Sequence, residues 1–294
     1  MIVITTPTGS IGQQVLQQVL AGGEPVRVIV RDPSRLPAQM RERVEIVQGT
    51  HVDAEVVNRA FKGADSVFWL VPPNPDTASV NAAYVDFTRP ACEALKSQGV
   101  KRVVGVSALG RGTAIAGNAG LVTASLAMDD LIASTGVGYR ALLMQSFMDN
   151  ILRQVTAIKS RGMFFAPSSG DRKFPTCATR DIAAVAARLL LDHSWSGPGS
   201  AAVLGPEDLS FNDMAQVMSE VLGKPVRFQQ IPIEAFKAGL TERGMSEAFA
   251  QGMVDMYVAK NAGLDNAEPR TPGNTTPTSF RQWCEEVLKP AVLS

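Results

Sequence analysis

The sequence predicts an α/β fold with a doubly wound parallel sheet and a smaller C-terminal α/β region. In the first half of the 294-residue chain, short runs rich in Val and Ile alternate with stretches of helical periodicity. Parallel strands require crossover connections of this kind. The strand segments are almost continuously apolar, as in VFWLV and VVGV, which is typical of strands buried on both faces. These patterns together indicate a sheet covered by helices on both sides.

Glycine and proline residues mark the ends of the predicted elements in the first half. In the first helix the apolar residues recur at helical spacing over Ile11–Leu20, and Gly22 ends it. Gly63 and Gly99 follow the next helices, and Pro72 stops the fourth strand. We predict strands at Ile2–Thr5, Val26–Val30, Val44–Val47, Ser66–Val71, Arg102–Val106 and Arg140–Leu143. We predict helices at Ser10–Ala21, Asp53–Phe61, Ala78–Ser97 and Leu121–Ser134.

The pattern becomes less regular after about Asn150. Further strands are predicted at Gly162–Pro167, Ala201–Leu204 and Val226–Ile231. Further helices are predicted at Asp181–Leu191, Phe211–Leu222, Ile233–Arg243, Ser246–Ala262 and Ser279–Leu288. We therefore divide the chain into a first domain, residues 1–155, and a C-terminal region, residues 156–294, that could complete a substrate site. Residues from about 178 to 205 are expected to return to the first sheet.

Composition argues against several classes of protein. Lys and Arg (28) balance Asp and Glu (28), so a nucleic-acid partner is not expected. Three separated cysteines without a CxxC pair, and only two histidines, argue against a disulfide framework and a metal site. No apolar run is long enough for a membrane span, and the chain begins with a strand rather than a secretory signal. We expect a cytoplasmic protein with a small-molecule partner, and the oligomeric state stays open.

The segment between the first strand and the first helix predicts a dinucleotide site. A bound pyrophosphate needs backbone N–H groups at a helix N-terminus and no side chain in the way. Gly9 would allow that approach, and Gly12 would let the helix pack closely on the strand. Thr6 stands where a first glycine is expected, and a β-branched residue adopts positive φ with difficulty. Either the turn keeps an ordinary conformation or cofactor affinity is reduced.

The end of the second strand favours NADP(H) over NAD(H). NAD-specific sites usually place a carboxylate there to hold the ribose 2′-hydroxyl. Here Arg31 follows the strand and Arg35 lies in the same loop, and a guanidinium can pair with a 2′-phosphate. Asp32 lies between them and argues in the other direction.

An ordered set of segments resembles the NmrA-like branch of the atypical short-chain dehydrogenases. The segments are MIVITTPTGSIG, VRVIVRDPSRL, GADSVFWLVPP, VKRVVGVSALG, FMDNIL and TRDIAAVAARLLL, followed by VLGPEDLSFNDMAQVMSEVLGKPVRF and TPTSFRQW. The resemblance covers nearly the whole chain. It implies a Rossmann domain, a smaller substrate-side domain and NADP(H) binding. Members include NADPH-dependent quinone reductases, triphenylmethane and azo dye reductases, and regulators that bind dinucleotides.

The resemblance also implies which residues contact the cofactor. The phosphate loop falls on Thr6, Thr8, Gly9, Ser10 and Ile11, and the 2′-phosphate arginine falls on Arg31. The ends of the fourth and fifth strands, beside the two riboses, fall on Val71, Pro72, Pro73, Ser107 and Ala108. The loop that faces the nicotinamide falls on Met144, Gln145, Ser146 and Phe147, and the last three are candidate acceptor-side residues.

The sequence departs from the family pattern at further places. His51 stands near the position of a frequent Asp, Leu143-Met144 replace a frequent Arg-Pro, and Leu121–Ser134 contains no lysine. The Tyr-x-x-x-Lys motif of ordinary short-chain dehydrogenases is absent, since no tyrosine is followed four residues later by lysine. Ser107 lacks the glycine that would close a nucleophile elbow.

Several other side chains receive structural interpretations. Cys177 is expected to be a small buried hydrophobe. His51 is expected at a loop surface, with a place near the adenine pocket as the alternative, and Trp69 in the core, with stacking on an acceptor as the alternative. Asp129 and Asp130 are expected to form a solvated helix face. Four apolar residues of the C-terminal region could line a pocket: Phe236, Met245, Phe249 and Met256.

Three functions remain open at this point. The first is hydride transfer from NADPH to a small electrophilic acceptor, such as a quinone or a dye-like compound. This reaction needs no Tyr-Lys dyad if the reduced acceptor can hold charge or take a proton from water. The second is a non-catalytic NADP(H)-sensing regulator that acts through a protein partner. The third is a structural protein with a degenerate cofactor site.

Overall fold

The computed structural model describes residues 1–294 and contains twelve strands. In chain order they are β1 (Ile2–Ile4), β2 (Val26–Val30), β3 (Glu45–Gln48), β4 (Ser66–Trp69), β5 (Arg102–Ala108), β6 (Gly138–Met144), β7 (Ser146–Phe147), β8 (Met163–Ala166), β9 (Phe174–Cys177), β10 (Pro198–Ala202), β11 (Asp208–Leu209) and β12 (Arg227–Gln230).

Twelve α-helices accompany these strands. They are α1 (Ser10–Ala21), α2 (Ala38–Arg41), α3 (Ala54–Phe61), α4 (Phe87–Ser97), α5 (Leu121–Ala133), α6 (Val155–Arg161), α7 (Thr179–Leu191), α8 (Phe211–Leu222), α9 (Ile233–Glu242), α10 (Glu247–Asn261), α11 (Phe280–Trp283) and α12 (Lys289–Leu293). Short 3₁₀ segments occur at Pro33–Arg35, Ala116–Asn118, Met148–Gln154 and Leu264–Asn266, and π-helical turns at Ala82–Asp86 and Cys284–Leu288. None of the helices combines the length and apolar character that crossing a membrane requires.

The main sheet has seven strands in the order β10-β6-β5-β4-β1-β2-β3. β1 pairs in parallel with β2 on one side and with β4 on the other, so that Ile4 lies opposite both Val28 and Phe68. The chain runs outward from β1 to β3 in one direction and from β4 to β6 in the other. This reversal beside β1 is the switch point of a doubly wound sheet, where the carboxyl ends of two neighbouring strands diverge and leave a crevice. The predicted fold class is therefore confirmed.

The chain divides into two compact units. Unit 1 contains residues 1–108, 124–143 and 182–201. Its core is the apolar interior of the main sheet, where Ile2, Val3 and Ile4 are fully buried and Trp69 is 2% exposed. The predicted strands and helices of this part lie close to the observed ones, because each has a clear apolar periodicity.

Unit 2 contains residues 109–123, 144–181 and 202–294. It holds a three-stranded sheet in the order β11-β9-β7 and the parallel pair β12-β8. A second hydrophobic core packs helices α6, α8 and α11 around buried aromatic residues, among them Phe164 and the stacked pair Phe280 and Trp283. The division of the sequence into residues 1–155 and 156–294 stays a prediction.

The largest boundary errors have physical causes. The predicted helix Ala78–Ser97 is regular only from Phe87, because Pro90 has no N–H to donate to the carbonyl four residues earlier, and a π-helical turn precedes it. The predicted strand Ala201–Leu204 is shifted to Pro198–Ala202 and joins the main sheet beside β6. Strands β7, β9 and β11 were not predicted. β7 and β11 have only two residues each, and β9 contains Pro175, which argues against a strand in a sequence.

Candidate functional site

The loop between β1 and α1 begins with a residue in an unusual conformation. Thr6 has φ +51°, and it is the only non-glycine residue of the chain with positive φ. The left-handed conformation disfavours a β-branched residue by about 1–2 kcal/mol. Of the two alternatives in the sequence analysis, an ordinary conformation is therefore wrong, and reduced cofactor affinity stays a prediction. Thr6 adopts the backbone shape that a first glycine would supply, and it does so under strain.

The two glycines of the loop serve different purposes. A Cβ built at Gly12 would overlap the Thr6 carbonyl oxygen, so only glycine lets α1 approach the loop this closely. Gly9 donates its N–H to the Thr6 carbonyl at 3.0 Å and is the N-cap of α1. No side chain caps this helix, and its first turn contains no acidic residue. The N–H groups of the first turn are thus available to an anion.

The remaining residues of the predicted phosphate loop flank this helix end. Thr8 is half-buried, Ser10 is exposed, and the Ile11 side chain is buried against the sheet. Ile11 can therefore meet a ligand only through its backbone N–H. The Thr6 hydroxyl oxygen is buried and has no hydrogen-bond partner.

The Thr5 side chain links the two strands that border the crevice beside β1. Its hydroxyl donates to the Phe68 carbonyl at 2.9 Å and accepts from the Leu70 N–H at 3.1 Å, which joins the ends of β1 and β4. Beyond this point the chain continues without regular structure, with Val71 and Pro72 half-buried and Pro73 exposed. The role that the resemblance implies for these three residues beside the cofactor stays a prediction.

The loop after β2 contains two arginines without ion-pair partners, and between them lies Asp32, which is hydrogen-bonded to Ser34. Asp32 accepts hydrogen bonds from the N–H and the hydroxyl of Ser34, at 3.0 and 2.6 Å. These bonds hold the pKa of Asp32 below its usual value. Arg31 and Arg35 are exposed, and neither forms an ion pair. One oxygen of the Asp32 carboxylate therefore caps its own turn, and the two arginines beside it form no ion pair.

His51 is buried, so its assignment to a loop surface is wrong. Its ring makes edge contacts with Trp69 and Phe87, at centroid distances of 5.1 and 4.9 Å. Its Nε2 lies 3.0 Å from the Leu70 carbonyl oxygen, which assigns the proton to Nε2. Burial lowers the pKa of His51 to about 4, and the positive charge of Arg31 adds to this effect. The ring is neutral near pH 7 and supports the β4 end of the crevice.

Trp69 and Cys177 behave as expected. Trp69 lies in the core, and its indole N–H donates to the Thr88 hydroxyl at 3.2 Å. Cys177 is fully buried, and burial raises the pKa of its thiol far above the usual range. Neither side chain is available for chemistry.

The expectation of a solvated face for Asp129 is wrong, although Asp130 is exposed. Asp129 is 3% exposed and accepts hydrogen bonds from the hydroxyls of Ser107 and Tyr139, the latter at 2.6 Å. The sequence contains a signal for this burial, since Asp129 continues the apolar face formed by Val122 and Leu126 of α5. The Ser107 hydroxyl donates to Asp129, so its free lone pairs can only accept a further hydrogen bond.

The end of β6 carries a buried amide without a partner. The Gln145 side chain is 5% exposed, and neither its oxygen nor its nitrogen makes a hydrogen bond. Leaving such groups unpaired costs about 1–3 kcal/mol each. Met144, the last residue of β6, is buried, whereas Ser146 and Phe147 of β7 are half-buried. Gln145 is thus the candidate acceptor-side residue with hydrogen-bonding capacity to offer.

The four apolar residues predicted to line a pocket are absent from the lining of a small cavity in unit 2. Phe249 is 9% exposed, and Phe236 makes an edge contact with Tyr257 at 5.0 Å. Tyr257 itself lines the cavity, together with polar residues that the sequence analysis did not select, Arg172 among them. Little in the sequence indicated these polar lining residues, because they come from separate segments that only the fold brings together.

Comparison with known proteins decides the family. The model of the NmrA-like family matches residues 1–278. The chain belongs to the NmrA-like family. The resemblance stated from the sequence is therefore confirmed.

Several proteins that the chain is similar to carry the name of a reductase. The NmrA-like chain is 28% identical over 291 residues to a (4-alkanoyl-5-oxo-2,5-dihydrofuran-3-yl)methyl phosphate reductase of Streptomyces griseus, covering 97% of each protein. It is 27% identical over 282 residues to an NAD(P)H azoreductase of Xenophilus azovorans, covering 95% of each. The crystal structure of an NADPH-dependent quinone oxidoreductase from Escherichia coli superposes with a TM-score of 0.77 at 22% identity, over 96% of this chain and 98% of that one. This last likeness shows the shared fold.

Proposed function

We propose that this NmrA-like protein is a reductase that transfers a hydride from NADPH to a small electrophilic acceptor, such as a quinone or a dye-like compound. The observation that carries the proposal is the loop between β1 and α1, which combines Thr6 at positive φ with an uncapped helix N-terminus. Such a loop at a switch point fits a dinucleotide pyrophosphate. The reductase names of the relatives from Streptomyces griseus and Xenophilus azovorans support the same class of reaction.

The residues of unit 1 fit NADPH along its length. The N–H groups at the start of α1 would hold the pyrophosphate, and Arg31 and Arg35 would pair with the 2′-phosphate. Val71–Pro73 would lie along the adenosine side, where apolar and proline residues leave the backbone accessible. Ser107, with its proton committed to Asp129, would accept a hydrogen bond from a ribose hydroxyl. NADPH is favoured over NADH because Arg31 and Arg35 are both exposed in this loop and form no ion pair.

NADPH, when bound, supplies the hydride. The chain contributes position rather than proton transfer, since the Tyr139 hydroxyl is bound to buried Asp129 and no tyrosine belongs to a Tyr-x-x-x-Lys motif. The buried amide of Gln145 would orient an oxygen or nitrogen of the acceptor or of the nicotinamide amide. Acceptors that hold charge after reduction, or take a proton from water, need nothing more from the protein.

A second candidate function is an NADP(H)-sensing regulator that acts through a protein partner. The observation that favours it is the same commitment of Tyr139 to Asp129, together with the absence of lysine from α5. Under this alternative the protein would bind NADPH without reducing any acceptor, and partner capture would depend on whether NADP⁺ or NADPH is present.

Calorimetry with NADPH and NADH tests cofactor binding, and turnover of quinones and azo compounds tests the reaction. We expect NADPH to bind much more tightly than NADH. Arg31→Gln should weaken NADPH binding about tenfold, the value of one charge-assisted contact, and leave NADH unchanged. Arg41→Gln is the matched control, since Arg41 is exposed and forms no ion pair. Equal affinities for both nucleotides would contradict the NADP(H) assignment, and tight NADPH binding without turnover of any acceptor would favour the regulator.

A further inference from the structure

The loop between β3 and α3 is anchored beside the end of β2. The Gly49 N–H donates to the Val30 carbonyl at 3.0 Å, and the Gln48 side chain donates to the Arg31 carbonyl at 3.2 Å. Gly49 has φ +148°, and a Cβ built there would lie 2.5 Å from a side chain of α3, so only glycine allows this path. The loop that contains His51 is therefore held at the carboxyl edge of the sheet, next to Arg31.

Three contacts fix the His51 ring in this loop. Its Nε2–H donates to the Leu70 carbonyl at 3.0 Å, and the Leu70 N–H donates to the Thr5 hydroxyl at 3.1 Å. The ring is thus tied to the same residue that joins the ends of β1 and β4. Trp69 and Phe87 make edge contacts with the ring at centroid distances of 5.1 and 4.9 Å. A ring held in this way has a defined orientation before a ligand binds.

The second ring nitrogen of His51 is open to a ligand. Nδ1 makes no hydrogen bond in the protein, and it is not among the unpaired polar atoms that are fully enclosed. Burial, with a smaller effect from the charge of Arg31, lowers the pKa of His51 to about 4, so the ring carries one proton at neutral pH. Because that proton is on Nε2, Nδ1 has a free lone pair. His51 therefore offers one fixed acceptor, and its ligand must supply a donor.

The chemistry of NADPH limits which group can meet this acceptor. Two donors lie near its 2′-phosphate, the 3′-hydroxyl of the same ribose and the adenine amino group. Arg31, which the proposed function pairs with that phosphate, is close enough to His51 for its charge to act on the ring. Val52, the next residue of the loop, is one of three large apolar side chains that are exposed. An apolar surface beside a single acceptor suits a flat base with an amino group better than a ribose.

We propose that His51 selects the adenine base of the cofactor, with Nδ1 accepting a hydrogen bond from the adenine amino group and Val52 contacting the base. The inference rests on the proposed function, because it requires NADPH at the start of α1 and at Arg31. All of these residues lie in unit 1. The site thereby adds a preference for the base to the preference for the 2′-phosphate, and a nucleotide whose base lacks this amino group binds more weakly.

Two nucleotides that differ only at the base test the role of His51. The probes are NADPH and its purine analogue, in which hydrogen replaces the adenine amino group, each titrated by calorimetry into the nucleotide-free protein. We expect NADPH to bind about tenfold more tightly, the value of one hydrogen bond to a largely buried acceptor. His51→Phe keeps a ring between Trp69 and Phe87, and it should bind both nucleotides equally. His193→Phe is the matched control and should keep the preference, since His193 is the second histidine of the chain, lies in the same unit and is 49% exposed.

Nitrogen NMR of protein labelled with ¹⁵N-histidine adds a readout that does not depend on affinity. The chain has two histidines, so the His51→Phe spectrum assigns the signals of His51. We expect Nδ1 of His51 to be unprotonated at neutral pH, and its resonance to shift when NADPH binds but much less when the purine analogue binds. A proton on Nδ1 at neutral pH, or equal shifts with both nucleotides, would overturn the proposal.

The outcomes separate failure of this inference from failure of the proposed function. Equal affinities of the unmodified protein for both nucleotides, or a preference that persists in His51→Phe, would contradict the role of His51 even if NADPH reduces an acceptor. A preference that depends on His51, without turnover of any acceptor, would leave the inference in place and contradict the reductase. Failure to bind either nucleotide would overturn both. If His51→Phe unfolds, His51→Gln, whose amide can donate to Leu70 and accept from the base, must retain part of the preference for the proposal to stand.

Discussion

Helices α1 and α8 begin with the same backbone geometry, but side chains cap only α8. Gly9, the N-cap of α1, has φ −85° and ψ 163°, and Ser210, the N-cap of α8, has φ −82° and ψ 165°. At α8 the Ser210 hydroxyl accepts from the Asp213 N–H at 3.1 Å, and the Asp213 carboxylate accepts from the Ser210 N–H at 2.9 Å. At α1 no side chain does either.

The difference shows what each helix end does. A capping box satisfies N–H groups from within the chain and stabilises the helix by about 1 kcal/mol. Helix α1 forgoes this contribution, and its loop also carries the strain of Thr6 at positive φ. A helix end that lacks a cap, tolerates strain and lies at the switch point of the sheet keeps its N–H groups for a bound anion.

Giving α1 the cap that it lacks should abolish cofactor binding. In Gly9→Asp the new Cβ fits, since its nearest atom would be the Thr6 carbonyl oxygen at 3.4 Å, and Gly9 itself is exposed. The carboxylate would satisfy the first-turn N–H groups and raise helix stability by a few tenths of a kcal/mol. It would also repel a pyrophosphate, so we expect NADPH affinity to fall about a hundredfold or more, measured by calorimetry.

The control for this change is the same residue type at the other helix. Ser210→Asp keeps a capping oxygen at α8 and should leave NADPH affinity unchanged. If Gly9→Asp binds NADPH as well as the unmodified protein, the start of α1 is not the phosphate site, and the contrast between the two helix ends loses its functional meaning.

Relieving the strain at Thr6 should have a smaller effect. In Thr6→Gly the positive φ no longer carries a penalty, and the unpaired buried hydroxyl is removed. The greater freedom of glycine in the unfolded chain offsets part of this gain, which leaves a stabilisation of up to about 1 kcal/mol. Urea denaturation measures it. A clear loss of stability would show that Thr6 is held by favourable contacts rather than under strain.

The sequence predicted the regular parts of unit 1 well, because its elements carry their own signals. Helix α1 was predicted with its observed bounds from an apolar stripe and Gly22. The strain at Thr6 could only be posed as an alternative, since a backbone angle depends on how closely Gly12 brings the helix to the loop.

The side chains that were misplaced depend on distant partners. Burial of His51 requires Trp69 and Phe87, and Asp129 requires Ser107 and Tyr139, hydroxyls that lie on two different strands. Periodicity along one helix could have placed Asp129 on the apolar face, but not shown what satisfies it. The small cavity lined by Arg172 and Tyr257 is harder still, because its walls come from segments that lie far apart in the sequence.

The smallest expected effect is a pH dependence confined to α8. The Ser210 backbone N–H, which donates to the carboxylate, contributes most to holding the pKa of Asp213 below its usual value. The Ser210 hydroxyl contributes less, and Lys173 adds a weak attraction at 3.8 Å. A carboxyl whose pKa is lower in the folded state stabilises the protein above its unfolded pKa, and this contribution disappears as pH falls through the folded value. Because the side chain is partly exposed, solvent screening keeps the contribution small.

Asp213→Asn isolates that contribution, since asparagine keeps the shape and one acceptor oxygen but not the charge. At neutral pH the variant should be less stable by a few tenths of a kcal/mol, measured by urea denaturation. The difference between the two proteins should shrink towards zero as the pH is lowered below the usual range of an aspartate, while NADPH affinity stays the same in both at neutral pH. A stability difference that persisted at low pH would mean that the amide group itself disturbs the cap. A change in NADPH affinity would mean that the start of α8 has a role in cofactor binding and is not purely structural.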